Sequence, residues 1–147
     1  MSGNEARAFL EELYNAVCDP GADPEVTNRY FTDDFVQIVD DTIVDRAGFD
    51  AHLAALRADL ATVSFEFTTV IAEGDRIADV HLFRATRKDG GQISMKFIGV
   101  YTLRDGKIAR FEELSHLIEG AEEDRDLASR TRRGSHSPEL SSRIGGS

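Results

Sequence analysis

The sequence predicts an α+β domain, helices first and strands afterwards, and three observations carry that prediction. Up to about residue 60 the apolar residues recur every three or four positions; from residue 63 to 118 they alternate. The alternating stretch is cut at Gly74-Asp75, Lys88-Asp89-Gly90-Gly91 and Asp105-Gly106, the residue types of tight hairpin turns. Helices first and long strands afterwards is the order of an α+β fold.

The first helix follows from Ser2 and Glu5, spaced as a capping box, and from Phe9, Leu13 and Val17 recurring every four residues with Leu10 and Tyr14 beside them. Cys18-Asp19-Pro20-Gly21 ends it, because Pro20 cannot continue a helix. Asp23-Pro24-Glu25 opens a second, short helix with an N-cap and then Pro at the first helical position, carrying Val26 and Tyr30 inward. Residues 35–39 are β-branched and aromatic and form a first strand; Asp40-Asp41 is a polar turn, and Ile43-Val44 a short partner. Asp45 caps a third helix, with Val44 and Phe49 placed as a hydrophobic staple. Phe49, Leu53, Leu56 and Leu60 form its buried stripe, and His52 lies beside that stripe as a boundary residue. Four long strands follow, at 63–73, 77–87, 93–104 and 107–118, and the short turns between them make an antiparallel meander.

After residue 118 the pattern fails. Residues 119–147 hold only Leu127, Leu140 and Ile144 as large apolar side chains, too few to order the segment. Arg133-Gly134-Ser135-His136 resembles a vector-derived remnant. The expected organisation is one domain over 1–118 and a largely disordered extension over 119–147.

Composition excludes several functions. The chain has 147 residues, and 17 Lys+Arg against 27 Asp+Glu give a net charge of −10, which argues against nucleic-acid or anionic-membrane binding. No apolar run approaches the roughly 18 residues of a membrane span. The N-terminus carries acids where a signal peptide has its apolar core, so a cytoplasmic protein is expected. Cys18 is alone, which removes an intrachain disulfide and a thiolate zinc site. Asp33-Asp34 and the acids at 122–126 lack metal-ligand spacing with a histidine, and no Gly-rich phosphate loop follows a strand. Neither a metal nor a cofactor is expected.

Three local signatures stand in order along the chain: Tyr30-Phe31-Thr32-Asp33-Asp34-Phe35 before the first strand, Ile71-Ala72-Glu73-Gly74-Asp75 at the first long hairpin, and Tyr101-Thr102-Leu103-Arg104-Asp105-Gly106-Lys107-Ile108 at the last. With the element order, they resemble the nuclear transport factor 2-like superfamily, nearest its SnoaL-like branch, over about residues 5–118. The resemblance implies a cone: a strongly curved sheet wrapped around the N-terminal helices, with a deep apolar pocket at the open end. The superfamily includes steroid isomerases, dehydratases, epoxide hydrolases, polyketide cyclases and members with no chemistry, so the fold alone does not give the function.

Alternation sorts the strand residues into two faces. The rows holding Phe97 and Tyr101, Val80 and Arg84, and Phe111 and Ser115 are expected to be concave. That leaves Asp79 and His81 outside, where His81 serves a subunit contact. Carried over residue by residue, the isomerases' oxyanion tyrosine falls near Phe9 rather than Tyr14. Their general-base aspartate falls at Val39 or, one residue on, Asp40. Their second acid, and the cyclases' aspartate, fall at Gly99. Steroid isomerisation and the cyclases' chemistry are therefore not expected. Glu113, between Phe111 and Ser115, is the strongest remaining candidate, since desolvation would make it an acid or base near neutrality. Tyr101 could donate to a developing oxyanion. Arg84 could hold an acidic substrate or form a structural ion pair with Glu113. A His–Asp dyad, as dehydratases of the superfamily use, would need His81 or His116 to face inward toward Asp40.

The candidate catalytic set is thus Glu113, Tyr101, Asp40 and His116, with Phe9, Tyr14, Val39, Val80, Arg84, Phe97, Phe111 and Ser115 lining the pocket. The expected function is cofactor-independent acid/base chemistry, of isomerase, dehydratase or hydrolase type, on a small hydrophobic molecule. The alternative is a non-catalytic binding or dimeric interaction module. Ile98 and Val100 on the convex face point to a homodimer.

Overall fold

The computed structural model describes residues 1–120; the expectations for 121–147 lie outside the described residues. Helix α1 spans Gly3–Val17 and begins on the anticipated capping box: Ser2 Oγ accepts from the Glu5 amide, and the Glu5 carboxylate accepts from the Ser2 amide. A 3₁₀ turn, Pro24–Val26, capped by Asp23, runs into the short helix α2, Thr27–Tyr30. Helix α3, Arg46–Asp59, starts where the Asp45 carboxylate accepts from the Gly48 amide.

Among the described residues six strands make one sheet: β1 Phe31–Val39, β2 Thr42–Val44, β3 Leu60–Glu73, β4 Arg76–Arg87, β5 Gln92–Arg104 and β6 Lys107–Glu119, in the order β2-β1-β6-β5-β4-β3. The sheet is mixed rather than antiparallel throughout. The three long hairpins pair antiparallel as expected, but β1 lies parallel to β6, Val39 opposite Glu113. This long-range parallel pairing curls the helical half of the chain back onto the meander. Asp40 and Asp41 both take positive φ, 49° and 70°, the two-residue turn whose twist suits a hairpin.

The concave face closes on α1 and α3. Leu10, Leu13 and Val17 meet Phe31, Phe35, Phe49 and Leu53 in one apolar cluster; Leu56, Leu60, Phe83, Met95 and Phe97 build a second toward the far end. Each such fully buried side chain stabilises the fold by about 1.5–3 kcal/mol. A bulge in β3 between Phe67 and Thr69 switches its inward row, so Phe65 and Phe67 precede it inside while Ile71 beyond it points out.

The inward rows of β5 and β6 are as the alternation predicts, but that of β4 is reversed. Ile77, Asp79, His81, Phe83 and Ala85 are buried, Val80 is half-buried on the outer face, and Arg84 is exposed. Register fixes this: Asp79 pairs with Gly99 and His81 with Phe97, so they share the concave face of β5. The middle of the outer row of β4 is apolar too: Ala78 and Val80 pair with Val100 and Ile98 of β5. Among the described residues no helix is long and apolar enough to cross a membrane.

Candidate functional site

The helices and the sheet enclose a slender, partly open cavity of about 70 Å³. Its wall is aromatic and aliphatic: Phe31, Phe49, Phe65, Phe83, Phe97 and Phe111 with Val17, Leu53 and Leu56. Six lining residues carry polar atoms: Tyr14, Cys18, Gln37, His52, His81 and Glu113. An apolar cavity with a few convergent polar groups is the usual form of a small-molecule site.

The polar groups are linked. His81 Nδ1 lies 2.9 Å from Asp79 Oδ2, and both residues are 2% exposed. With Nδ1 donating to Asp79 Oδ2, Nε2 is the ring nitrogen available to the cavity. The imidazole is clamped by rings, stacked on Phe97 at 5.1 Å and flanked by Tyr14 and Phe67. Tyr101 also donates to Asp79 Oδ2, at 3.2 Å, and its hydroxyl lies 2.7 Å from that of Tyr14. Burial, with neighbouring Asp79, holds both tyrosines well above the ordinary phenol range, so both keep their protons.

Glu113 occupies the adjoining wall. Gln37 Nε2 donates to its Oε1 at 3.1 Å. Burial drives the carboxyl well above the usual range; the Gln37 bond opposes this, and the charges of Asp79 and Asp40 add to it. Glu113 thus holds a proton where an exposed glutamate would not. Gly99 makes the arrangement sterically feasible. A Cβ there would come within 2.5 Å of the Phe111 ring, 2.7 Å of the Glu112 carbonyl oxygen and 2.9 Å of Glu113 Cβ. The acid absent at Gly99 could not fit, and carboxylates stand instead at the residues paired with it on either side, Asp79 and Glu113.

The structure brings together only part of the expected set. Glu113, Tyr14, Phe97 and Phe111 line the cavity, and Val39 is buried beneath it in the second cluster. Tyr101 is 1% exposed, stacked on Phe111 at 4.0 Å, and gives its proton to Asp79; its hydroxyl is not an oxyanion donor. Asp40 is an exposed turn residue whose carboxylate accepts from the Ser115 amide and hydroxyl, tying β6 to the end of β1. That bond occupies Ser115 as well. His116 is exposed and pairs with Lys96 on the outer face, away from Asp40's supposed role. Arg84 pairs with Glu66 outside and cannot reach Glu113, and Val80 faces outward with it. Phe9 is half-buried and packs edge-on against Tyr30, leaving Tyr14 as the tyrosine of α1 in the cavity. His52 is buried in the cavity wall rather than at a boundary, and His81 is inside rather than at a subunit contact.

His81 and Asp79 were the residues that alternation misplaced. The Asp-x-His spacing was itself the available signal, because i and i+2 on a strand share a face and each satisfies the other when buried. Cys18 lines the base of the cavity, where burial pushes its thiol up to about 12 against the pull of Arg57, so it stays a neutral thiol.

Residues 6–111 match the model of the SnoaL-like domain. The chain belongs to the SnoaL-like family. A Schizosaccharomyces pombe protein, uncharacterized protein C11D3.04c, is 30% identical over 125 residues, 85% of this chain and 96% of that one. Among solved structures, AclR of Streptomyces galilaeus, a proposed hydroxylase, superposes with a TM-score of 0.65 at 18% identity, covering 97% of this chain and 95% of its own. An LEH-like epoxide hydrolase of M. tuberculosis superposes at 0.62 and 15% identity, covering 78% and 84%. At such identities the likeness establishes the SnoaL-like cone, of the nuclear transport factor 2-like superfamily, and leaves its chemistry to the residues in the cavity.

Proposed function

We propose that this SnoaL-like protein binds a small, uncharged, mostly apolar molecule in the cavity and carries out cofactor-independent acid/base chemistry on it, of isomerase, dehydratase or hydrolase type. The observation that carries this reading is the buried His81–Asp79 pair opening onto the same apolar cavity as a proton-holding Glu113. His81 Nε2 is the base: it takes a proton from the bound molecule, and Asp79 stabilises the imidazolium formed. Glu113 is the acid, giving its proton to a departing or developing oxygen. A base and an acid that open onto the same apolar cavity are the pair such chemistry needs. Neighbours in the fold, an epoxide hydrolase among them, are consistent with reactions of this kind.

The test is a panel of uncharged cyclic hydroxy-ketones and epoxides incubated in D₂O and read by mass spectrometry for deuterium uptake, water loss or water addition. Turnover by the wild type that falls 10²–10⁴-fold in His81→Phe and in Glu113→Gln supports the assignment. Turnover unaffected by either change refutes it.

The protein is also proposed to act as a homodimer. Ile71, Ile98, Val100 and Leu114 stand exposed at 62%, 53%, 42% and 64% on the outer face of the sheet; Ile98 pairs with Leu114 across β5 and β6, and Ala78 of β4 lies between Val100 and Ile71. A second copy covering that face would remove this apolar surface from water.

A further inference from the structure

The directions of the buried hydrogen bonds define what a ligand must bring. Tyr101 has one hydroxyl proton, and it goes to Asp79 Oδ2. The 2.7 Å contact between the two phenols therefore requires Tyr14 to be the donor and Tyr101 the acceptor. With its own proton engaged, Tyr14 can offer the cavity only a lone pair. Gln37 gives an amide proton to Glu113, while its Oε1 is buried without a partner, in a residue 3% exposed. A buried amide oxygen left in this state has an unmet need for a donor. In the neutral imidazole His81 Nε2 is a third acceptor, since Nδ1 holds the proton facing Asp79. Among the described residues that line the cavity, none is Lys or Arg, and Glu113 stands in its wall.

We infer that the cavity selects an uncharged ring compound carrying hydroxyl donors, phenolic or alcoholic, over ketones and ethers of the same shape, and excludes carboxylates. This rests on reading the cavity as the ligand site and goes further in naming the chemical class. The ligand hydroxyl donates to Gln37 Oε1 or Tyr14 Oη while the ring packs on Phe65, Phe83 and Phe97. A ketone or ether can accept from the Glu113 carboxyl but brings no proton of its own, so the acceptors at Gln37, Tyr14 and His81 stay unpaired in a dry wall, and a carboxylate meets no cation to replace its water.

Equilibrium binding to the full chain tests this without any turnover. The probes are 2-naphthol, 2-methoxynaphthalene, 2-tetralone and 2-naphthoate, with phenol and anisole as a smaller pair, titrated by calorimetry and by NMR shift changes. The expected result is that each hydroxyl compound binds at least tenfold more tightly than its methyl ether, that 2-tetralone follows the ether, and that 2-naphthoate does not saturate. Tyr101→Phe removes the acceptor of the Tyr14 proton, turning Tyr14 into a donor, so the preference should shrink or reverse toward ether and ketone. Gln37→Leu should lower affinity for the hydroxyl compound alone, and circular dichroism checks that both variants are folded. Equal affinities for alcohol and ether, saturable 2-naphthoate binding, or no binding by any probe overturns the inference. Hydroxyl preference without turnover of any substrate refutes the catalytic reading and leaves the ligand class standing; turnover without the preference does the opposite.

Discussion

Replacing Glu113 by Gln should stabilise the protein above neutral pH and flatten the dependence of its stability on pH. In the unfolded chain this carboxyl ionises near its ordinary value of 4.5; in the folded chain burial raises it, the Gln37 bond lowers it in part, and Asp79 and Asp40 raise it further. Between the two values the folded state holds a proton that the unfolded state has lost. Stability from this group is therefore complete below about 4.5, falls as pH rises toward the folded value, and levels off above it. The loss amounts to about 1.4 kcal/mol for each unit by which folding raises the carboxyl. Glutamine has the same shape and no charge. Its carbonyl can still accept from Gln37 Nε2, so at most one hydrogen bond, about 1 kcal/mol, stands against the gain. Urea midpoints of wild type and Glu113→Gln, measured from pH 4 to 9, should nearly coincide at pH 4 and diverge as pH rises, with the variant higher. Parallel curves, or a variant less stable at pH 8, would refute the reasoning. An ion pair with Arg84 would instead make the variant less stable, but Arg84 faces the other side of the sheet and pairs with Glu66.

Gly99→Ala should cost about 3 kcal/mol, the upper end for overpacking, because the Glu112 carbonyl 2.7 Å away belongs to a paired strand and cannot swing aside; denaturant unfolding checks it, and an unchanged midpoint counts against the close approach. His81→Phe keeps a flat ring against Phe97 but leaves Asp79 without its nearest partner, so stability should fall by about 1–3 kcal/mol while apolar-ligand affinity changes little, read by thermal melting and calorimetry. Leu114→Lys places a charge on the outer face without touching the core; under the proposed dimer the wild type should sediment as two copies at micromolar concentration and this variant as a folded monomer.

Local signals were well preserved in the sequence. Ser2 with Glu5, Asp23 with Pro24, and Asp45 announced their helix starts because a cap is decided by residues two or three apart. The hairpin turns were equally legible, and so was the concave placement of Phe97, Phe111 and Glu113. Two things were not. The parallel pairing of β1 with β6 depends on residues too far apart for any local pattern to report. The face of β4 was ambiguous because Val80 and Leu82 are as apolar as Ile77 and Phe83; polarity pointed the wrong way, since Asp79 and His81 are tolerated inside by bonding each other. That single reversal displaced the candidate site: it put Arg84 in the cavity, His81 outside it, and left Asp40 and His116 in the roles here proposed for Asp79 and His81 of β4.

The seam between β1 and β6 also governs how the chain must be made. During synthesis β1 emerges long before the strand that completes it, and until then only three-residue β2 covers one of its edges. The row of Phe31, Phe35 and Val39, with free amides alongside, waits exposed through the making of α3 and three long strands. Closing that gap orders a long loop at once, an entropic toll that slows folding relative to hairpin growth. A nascent or prematurely ended chain that lacks β6 is therefore the aggregation-prone form of this protein, an open sheet edge with its oily face uncovered. The final strand is the keystone: the nascent meander can assemble without it, but the arch stands only when it is set.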